Sequence, residues 1–323
     1  MPTISMDDGR TLGFERWGDP GGDPLFLLHG TPGCRLTRHP DEAMWARLGV
    51  MLITVDRPGY GLSSPLPGRR VSHAAHDVAA VADAIGVERF TVAGGSGGGP
   101  HALACAAILQ ERVHACAAVA CAAPVEKAEL DGVIALNREA YRILTEEGRA
   151  GMHRFLGVLR EQILAGPTEA MQTDLADAAP EDLEWNARED VQHVQLEAML
   201  EALRPGVEGW VDDAVSLFGE DWDIDLRAIT CPVRFWHSAN DRNGPLSAIE
   251  RLVRRVPGAT LHVWRTGGHT APSRYRRRPQ RPDRDRRRPG LSPSGPVRAA
   301  TGSARHAASA SGQSRPGECP GTQ

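Results

Sequence analysis

Lysine is almost absent from this chain of 323 residues: Lys127 is the only one, and the remaining basic residues are arginines. Long apolar runs are absent too, since no stretch approaches the roughly 18 to 20 residues that cross a bilayer. The first ten residues lack the basic and apolar segments of a secretory signal. We therefore expect a cytoplasmic protein without a membrane partner. The six cysteines form no CxxC pair, so we expect neither a disulfide framework nor a metal site.

Charge is distributed unevenly along the chain. Residues 272–323 hold twelve arginines against three acidic residues, and Pro, Gly, Ser and Ala dominate the rest. Such a segment buries too little apolar surface to offset the entropy of ordering, so we expect disorder there. Arginine runs at 276–278 and 286–288 could contact nucleic-acid phosphates. We favour the other interpretation, in which a frame shift in a GC-rich gene produced a tail of this composition.

Acidic residues are concentrated elsewhere, because residues 166–225 hold seventeen Asp and Glu against two arginines. One interpretation is a solvated helical face, which we favour. The other is a negative potential at the mouth of a pocket, which would attract substrates that carry an amine.

Short β-branched and apolar runs alternate with helical patterns, which is typical of a mainly parallel sheet with helices on both faces. From about residue 125 strand patterns disappear and helical patterns take over, as in a helical cap inserted into the sheet. The sequence therefore predicts an α/β fold in four segments. These are the first part of the core at 1–124, a helical cap at 125–228, the second part of the core at 229–271 and the tail at 272–323. Strands are predicted at 3–6, 11–17, 24–29, 50–56, 90–94, 113–123, 232–237 and 260–265, and helices at 72–85 and 100–111.

The strongest motif is G-x-S-x-G at residues 94–98, between a predicted strand and a predicted helix. In that context the motif is typical of a nucleophile elbow, a strained turn that raises the hydroxyl of Ser96 to the strand ends. The start of the following helix offers backbone N–H groups to a developing oxyanion. A phosphate-binding loop is the alternative, but the G-K-[ST] of that loop does not follow.

A serine nucleophile needs a base, and the base needs a carboxylate that orients it. His269 follows two glycines directly after the last predicted strand, and Asp241 lies on the loop after the preceding strand. The order Ser96, Asp241, His269 is the one found in α/β-hydrolases. The oxyanion hole is expected to use the N–H of Gly97 and that of Thr31. Nothing in the sequence requires a metal, nucleotide or redox cofactor.

Four neighbouring polar residues are not assigned to the chemistry. We expect His29 to shape the loop 29–33, and we assign Ser63 to a turn, His101 to a helix face and His237 to a strand end.

Several motifs together resemble the α/β-hydrolase superfamily, in particular the group of proline-iminopeptidase-like and cofactor-free haloperoxidase-like enzymes. They are His29-Gly-Thr-Pro-Gly33, Asp56-Arg-Pro-Gly-Tyr-Gly61 with Ser63, Gly94-Gly-Ser-Gly-Gly-Gly-Pro100, the Asp241 loop and Gly268-His269. The resemblance covers residues 3 to 271. It implies that a serine attacks an acyl carbonyl and that water activated by His269 hydrolyses the acyl-enzyme.

The chain departs from this family at three places. Thr31 and Gly97 stand where iminopeptidases typically have glycine and tryptophan, and Ser96 replaces the aspartate of epoxide hydrolases and haloalkane dehalogenases. Pro272 stands where the family continues into a final helix. We expect a hydrolase of a small-molecule ester, thioester, lactone or amide. The alternatives are an iminopeptidase-like aminopeptidase and an inactive protein with a disrupted C-terminus.

Overall fold

The computed structural model describes residues 2–166, 178–219 and 222–270. In this part of the chain, eight strands form one sheet in the order β1-β2-β4-β3-β5-β6-β7-β8. The pairs β1–β2 and β2–β4 are antiparallel, and all the other pairs are parallel. The α/β prediction is therefore correct. The strands are β1 Thr3–Ser5, β2 Thr11–Gly18, β3 Asp23–Leu28, β4 Val50–Val55, β5 Phe90–Gly95, β6 Val113–Val119, β7 Val233–Ser238 and β8 Thr260–Trp264.

Helices flank the sheet and fill the long connection between β6 and β7. Two of them were not predicted from the sequence. The first, α1, is a five-residue helix with no buried residue, so no apolar face marks it. The second, α8, buries Ala248, Ile249 and Leu252 and has Arg251 and Arg254 in its last turn. The helices are α1 Ala43–Arg47, α2 His73–Ala84, α3 Gly98–Ile108, α4 Ala135–Ala165, α5 Pro180–Asn186, α6 Glu189–Leu203, α7 Glu208–Leu217 and α8 Leu246–Arg254.

Apolar packing holds the sheet and the helices that cover it. The strand β4 has buried side chains at every position after the first, as expected of a central strand. The aromatic rings of Phe26 and Phe90 meet at 4.7 Å between centroids, on neighbouring strands. The helix α3 is buried almost all round because alanines and glycines let it lie close to β5 and β6. Each large side chain buried in this way stabilises the fold by roughly 1.5–3 kcal/mol.

The predicted strand at 113–123 ends early, at Val119. Ala120 has a φ of 44°, in the left-handed region that a strand does not use. The chain therefore leaves the sheet at this residue, close to the carboxyl end of β5.

We call residues 125–228, which carry α4 to α7, the cap segment. Its longest helix, α4, is interrupted at Gly148, where φ is 63° and ψ is −158°. A second apolar cluster packs here, separate from the sheet core. Its largest buried members are Tyr60, Met152, Leu156, Leu203 and Trp210.

The solvated-face interpretation of the acidic stretch is wrong for three of its members. Asp182, Asp212 and Asp213 are buried. The cysteines at 34, 105, 116, 121 and 231 are free thiols in buried positions.

Within the described ranges, no helix has the length and apolarity needed to cross a membrane. The predicted disorder of residues 272–323, the proposed frame shift and the nucleic-acid alternative all concern residues outside the described part.

Candidate active site

The turn between β5 and α3 places Ser96 in a strained conformation, with φ at 51°. Such a backbone persists only where the surroundings fix it. Here the N–H of Ser96 donates to the carbonyl of Val119 at 3.0 Å. The carbonyl of Ser96 accepts from the N–H groups of Gly99 at 3.0 Å and Ala122 at 2.9 Å. The backbone of the predicted nucleophile is thus bonded on both sides to neighbouring segments.

Close approach explains two of the glycines in the motif. A Cβ added at Gly94 would collide with the carbonyl of Gly98, and one added at Gly98 would collide with the carbonyl of Leu28. The start of α3 can therefore lie against the end of β3 only because these residues have no side chain. This packing brings Ser96 beside the loop 29–33 that follows β3.

Thr31 and Gly97, the residues predicted to form the oxyanion hole, line the same cavity as Ser96. Within the described ranges, neither of their backbone N–H groups donates to a protein acceptor. Two N–H groups without a protein acceptor beside a serine have the chemistry needed to bind an oxyanion.

Arg57 binds the loop 29–33 through its side chain. Its guanidinium donates to the carbonyls of His29 and Gly30, the latter at 3.0 Å, and to the hydroxyl of Thr31 at 3.0 Å. The same guanidinium donates to both carboxylate oxygens of Asp213, at 3.2 and 2.6 Å. The hydroxyl of Thr31 also donates to Asp213, at 2.7 Å. A carboxylate from α7 of the cap segment is thus bonded to both the loop 29–33 and the arginine that holds it.

Asp213 is fully buried and has further donors. Arg69 donates to it at 2.6 Å and the Tyr60 hydroxyl at 2.8 Å. Burial alone would raise the pKa of Asp213, but the charges of Arg57 and Arg69 outweigh it and hold the pKa well below its usual range. Sequence reasoning missed this residue. The available signal was the Asp56-Arg-Pro-Gly-Tyr-Gly61 motif, whose arginine and tyrosine both bind it.

His269 also lines this cavity, and its Nδ1 is hydrogen-bonded to Oδ2 of Asp241 at 2.8 Å. Asp241 is 4% exposed, and its other oxygen accepts from the N–H of Asn243 at 2.9 Å. Burial opposes the charge of both groups. The attraction between Asp241 and His269 outweighs the effect of burial, so the pKa of Asp241 is lowered and that of His269 is raised. With Nδ1 bonded to a carboxylate, Nε2 of a neutral His269 is free to accept a proton.

The other polar residues singled out from the sequence have positions that match their structural assignments. Nε2 of His29 accepts from the N–H of Arg57 at 3.2 Å, and Nδ1 of His101 is 2.8 Å from the carbonyl of Gly97. Nε2 of His237 is 2.8 Å from the carbonyl of Gly244. The hydroxyl of Ser63 donates to the carbonyl of Asp56 at 2.7 Å. Each of these side chains holds a turn or a helix start.

Ser96 and His269 open into one cavity of about 200 Å³. Of its described lining residues, none is a lysine, arginine, aspartate or glutamate. The acidic stretch therefore contributes no described carboxylate to the lining. Apolar side chains of the cap segment form much of the lining, including Met152, Phe155, Leu156, Ile163, Met199 and Trp210.

Comparison with known proteins finds relatives with similar sequences and solved structures with a similar fold. A hydrolase of 2-hydroxy-6-oxononadienedioate and 2-hydroxy-6-oxononatrienedioate from Burkholderia vietnamiensis is 28% identical over 258 residues, which are 78% of this chain and 82% of that protein. A proline iminopeptidase from Xanthomonas citri is 35% identical over 112 residues, so the match spans 32% of this chain and only 34% of that relative. A thermophilic esterase from Thermogutta terrifontis has a TM-score of 0.59 at 21% identity, covering 84% of this chain and 93% of that one.

A sequence model of the alpha/beta hydrolase fold matches residues 23–273, which is most of the chain. Together with the sheet topology and the named hydrolases among the relatives, this match assigns both family and enzyme class. The chain belongs to the α/β-hydrolase family and is an enzyme of the hydrolase class.

Proposed function

We propose that the chain is a serine hydrolase of small, uncharged esters, thioesters, lactones or amides, acting through an acyl-enzyme. The observation that carries the proposal is that the Ser96 turn and the hydrogen-bonded pair of Asp241 and His269 meet at one apolar cavity. We retain the cytoplasm as its proposed location and a small molecule, not a nucleic acid, as its partner.

In the proposed mechanism, Oγ of Ser96 attacks the acyl carbonyl while Nε2 of His269 accepts the hydroxyl proton. Asp241 accepts the hydrogen bond from Nδ1 and stabilises the imidazolium that forms. The N–H groups of Thr31 and Gly97 stabilise the oxyanion of the tetrahedral intermediate. His269 then gives its proton to the leaving group. In the second half, His269 takes a proton from water, which attacks the acyl-enzyme. His269 then returns this proton to Oγ of Ser96 as the acid is released.

The volume and the lining of the cavity favour a small, uncharged substrate. Its volume of about 200 Å³ is below the roughly 300–1,000 Å³ of sites for drug-sized ligands. A dicarboxylate, such as the substrates named for the Burkholderia relative, would bring a buried negative charge with no arginine or lysine among the described lining residues to pair with it.

An aminopeptidase of the iminopeptidase type is the second candidate, because the Xanthomonas relative carries that name. Its substrate has a free amine, which needs a carboxylate or several acceptors at the site. The lack of carboxylates among the described lining residues favours the ester reaction. Hydrolysis of proline β-naphthylamide without hydrolysis of short p-nitrophenyl esters would reverse this preference.

A fluorophosphonate probe tests the proposal directly, because only an activated serine beside an oxyanion hole reacts with it quickly. We expect stoichiometric labelling at Ser96, located by intact mass and peptide mapping. Ser96→Ala should abolish both labelling and turnover of p-nitrophenyl butyrate, with the circular dichroism spectrum unchanged. Ser247→Ala is the matched control, because that hydroxyl is bonded to Glu129 on the surface and should keep full labelling.

Two results would contradict the proposal. Esterase activity that survives Ser96→Ala would remove the nucleophile from the mechanism. Folded wild-type protein that is neither labelled nor active would favour the alternative of an inactive protein with a disrupted C-terminus.

A further inference from the structure

The backbone on both sides of His269 is bonded to one carboxylate of the cap segment. Oδ1 of Asp182 accepts from the N–H of Gly268 at 3.2 Å and from the N–H of Thr270 at 3.2 Å. It also accepts from the hydroxyl of Thr270 at 2.7 Å. Asp182 lies in the first turn of α5 and is 4% exposed. A single buried oxygen therefore holds the residues immediately before and after the histidine.

We propose that Asp182 is a positioning residue for His269, fixing the backbone of its loop and thereby the direction of the imidazole. The inference rests on the proposed role of His269 as the base. It requires no contact between Asp182 and the substrate.

The core holds other parts of the same loop. The hydroxyl of Ser238 donates to the carbonyl of Gly267, and Asp241 accepts from the ring of His269. These contacts fix the start of the loop and one ring atom. The two peptide N–H groups that flank His269 are bonded from the cap segment instead, through Asp182. Orientation of the ring thus depends on both parts of the chain.

Close packing supports the same conclusion. A Cβ added at Gly268 would collide with Oδ2 of Asp182, and it would lie 3.0 Å from the Cβ of Ala179. The helix α5 therefore rests directly on the loop, at a residue that has no side chain. A buried carboxylate that packs against the loop and accepts three hydrogen bonds from it restricts the backbone, because hydrogen bonds to a charged acceptor are stronger than neutral ones.

The charge of Asp182 also faces the histidine. The titratable groups around His269 are Asp241 from the loop after β7, His237 from the end of β7 and Asp182 from α5. Burial lowers the pKa of His269, but the charges of Asp241 and Asp182 outweigh it and the pKa is raised. His237 has a pKa lowered by its burial and stays neutral near pH 7.

Three variants separate positioning from charge. Asp182→Asn keeps an oxygen that can accept the same hydrogen bonds but removes the charge, whereas Asp182→Ala removes both. Glu181→Gln is the matched control, because it removes a carboxylate from the same first turn of α5. Activity is measured as kcat and KM for p-nitrophenyl butyrate between pH 5 and 9. Rates are expressed per folded molecule from near-UV circular dichroism.

We expect Asp182→Ala to lower kcat about 100-fold, the cost of misplacing a catalytic group by roughly 1 Å. KM should change little, because Asp182 does not line the cavity. Asp182→Asn should retain most of kcat and move the acid limb of the pH profile to lower pH. Glu181→Gln should match the wild type in both measurements.

The inference is overturned if Asp182→Ala has the wild-type kcat per folded molecule, since a purely structural role would produce that result. It is also overturned if Asp182→Asn leaves the acid limb in place. Failure of the proposed function looks different, because the wild type itself would then lack esterase activity. NMR titration of the His269 ring keeps the test independent of turnover: Asp182→Asn must lower that pKa, and an unchanged value would contradict the inference.

Discussion

The loop 29–33 and the loop that carries His269 both reach the cavity, and each is hydrogen-bonded to a carboxylate of the cap segment. The two carboxylates differ in the groups that donate to them. Asp213 is bonded to the loop 29–33, which we call the oxyanion side after its proposed role, and it is paired with Arg57 and Arg69. Asp182, behind the histidine loop, accepts from two backbone N–H groups and one hydroxyl. Asp213 thus belongs to a buried ion-pair network, and removing one partner leaves a buried charge unpaired. Asp182 belongs to a set of hydrogen bonds whose main effect is on orientation.

This difference indicates that the cap segment does more than cover the pocket. Each of these two loops is hydrogen-bonded to the cap segment, so the position of both loops depends on how the two parts pack. The oxyanion side should respond to mutation mainly through stability, and the histidine side mainly through rate and pH.

The largest effect is expected from Asp213→Ala. Removing one partner of a buried ion pair typically costs about 3–5 kcal/mol, because the remaining charge is left buried and unpaired. Here both Arg57 and Arg69 would lose their carboxylate. Urea unfolding followed by circular dichroism measures the loss.

The control for this variant is Glu208→Ala on the same helix. Glu208 pairs with Arg149 at 3.0 Å, and its side chain is 50% exposed. Surface pairs of this kind contribute only about 0–1 kcal/mol. Equal losses in the two variants would contradict the ion-pair interpretation of Asp213.

A smaller effect is expected from Gly268→Ala. The new methyl group would collide with Asp182, and overpacking of this kind costs about 1–3 kcal/mol. Asp182→Ala removes the obstacle, so the double variant should lose less stability than the two single variants combined. Gly132→Ala serves as the control, because nothing lies within 4 Å of a Cβ at that position. Additive losses in thermal unfolding would show that Gly268 and Asp182 do not interact.

The smallest effect concerns the pH dependence of kcat/KM, which should be set by the histidine side alone. On the oxyanion side, burial lowers the pKa of His101 to about 3, and Asp213 has a pKa well below its usual range, so neither titrates near pH 7. His269 has a raised pKa, and only its neutral form accepts a proton. The kcat/KM of the wild type should therefore fall with a single ionisation as the pH drops through a value above 6.5. Two ionisations in that limb would mean that the oxyanion side titrates as well.

Stability should depend on pH in the opposite direction. A raised pKa means that the folded state favours the imidazolium, so this contribution is complete below about pH 6.5 and is lost as the pH rises through the folded-state pKa. The difference in unfolding free energy between the wild type and His269→Gln, measured across this range, should decrease with increasing pH.

Local patterns were sufficient to predict the sheet and the elbow. The continuous apolar run at β4 and the glycines around Ser96 each satisfy a requirement of their own segment, so the sequence carries the signal at one place. The positions of Asp241 and His269 after the last two strands followed from the same topology. Their hydrogen bond matches the predicted pairing.

The buried carboxylates that bind residues far away in the sequence could not be predicted in the same way. Asp182 is 86 residues from Gly268, and Asp213 is 156 residues from Arg57. Both lie in a stretch rich in acidic residues, where nothing local separates a buried carboxylate from a solvated one. The helix α1 was missed for a related reason, because none of its side chains is buried.

The interruption of α4 at Gly148 has a consequence for the shape of the cavity. Asn137 and Ala140 line the cavity from one side of this kink, while Met152, Phe155 and Leu156 line it from the other. The angle between the two arms therefore sets the spacing between these two groups of lining residues. A single backbone position, remote from Ser96 in sequence, thus shapes the wall of the cavity.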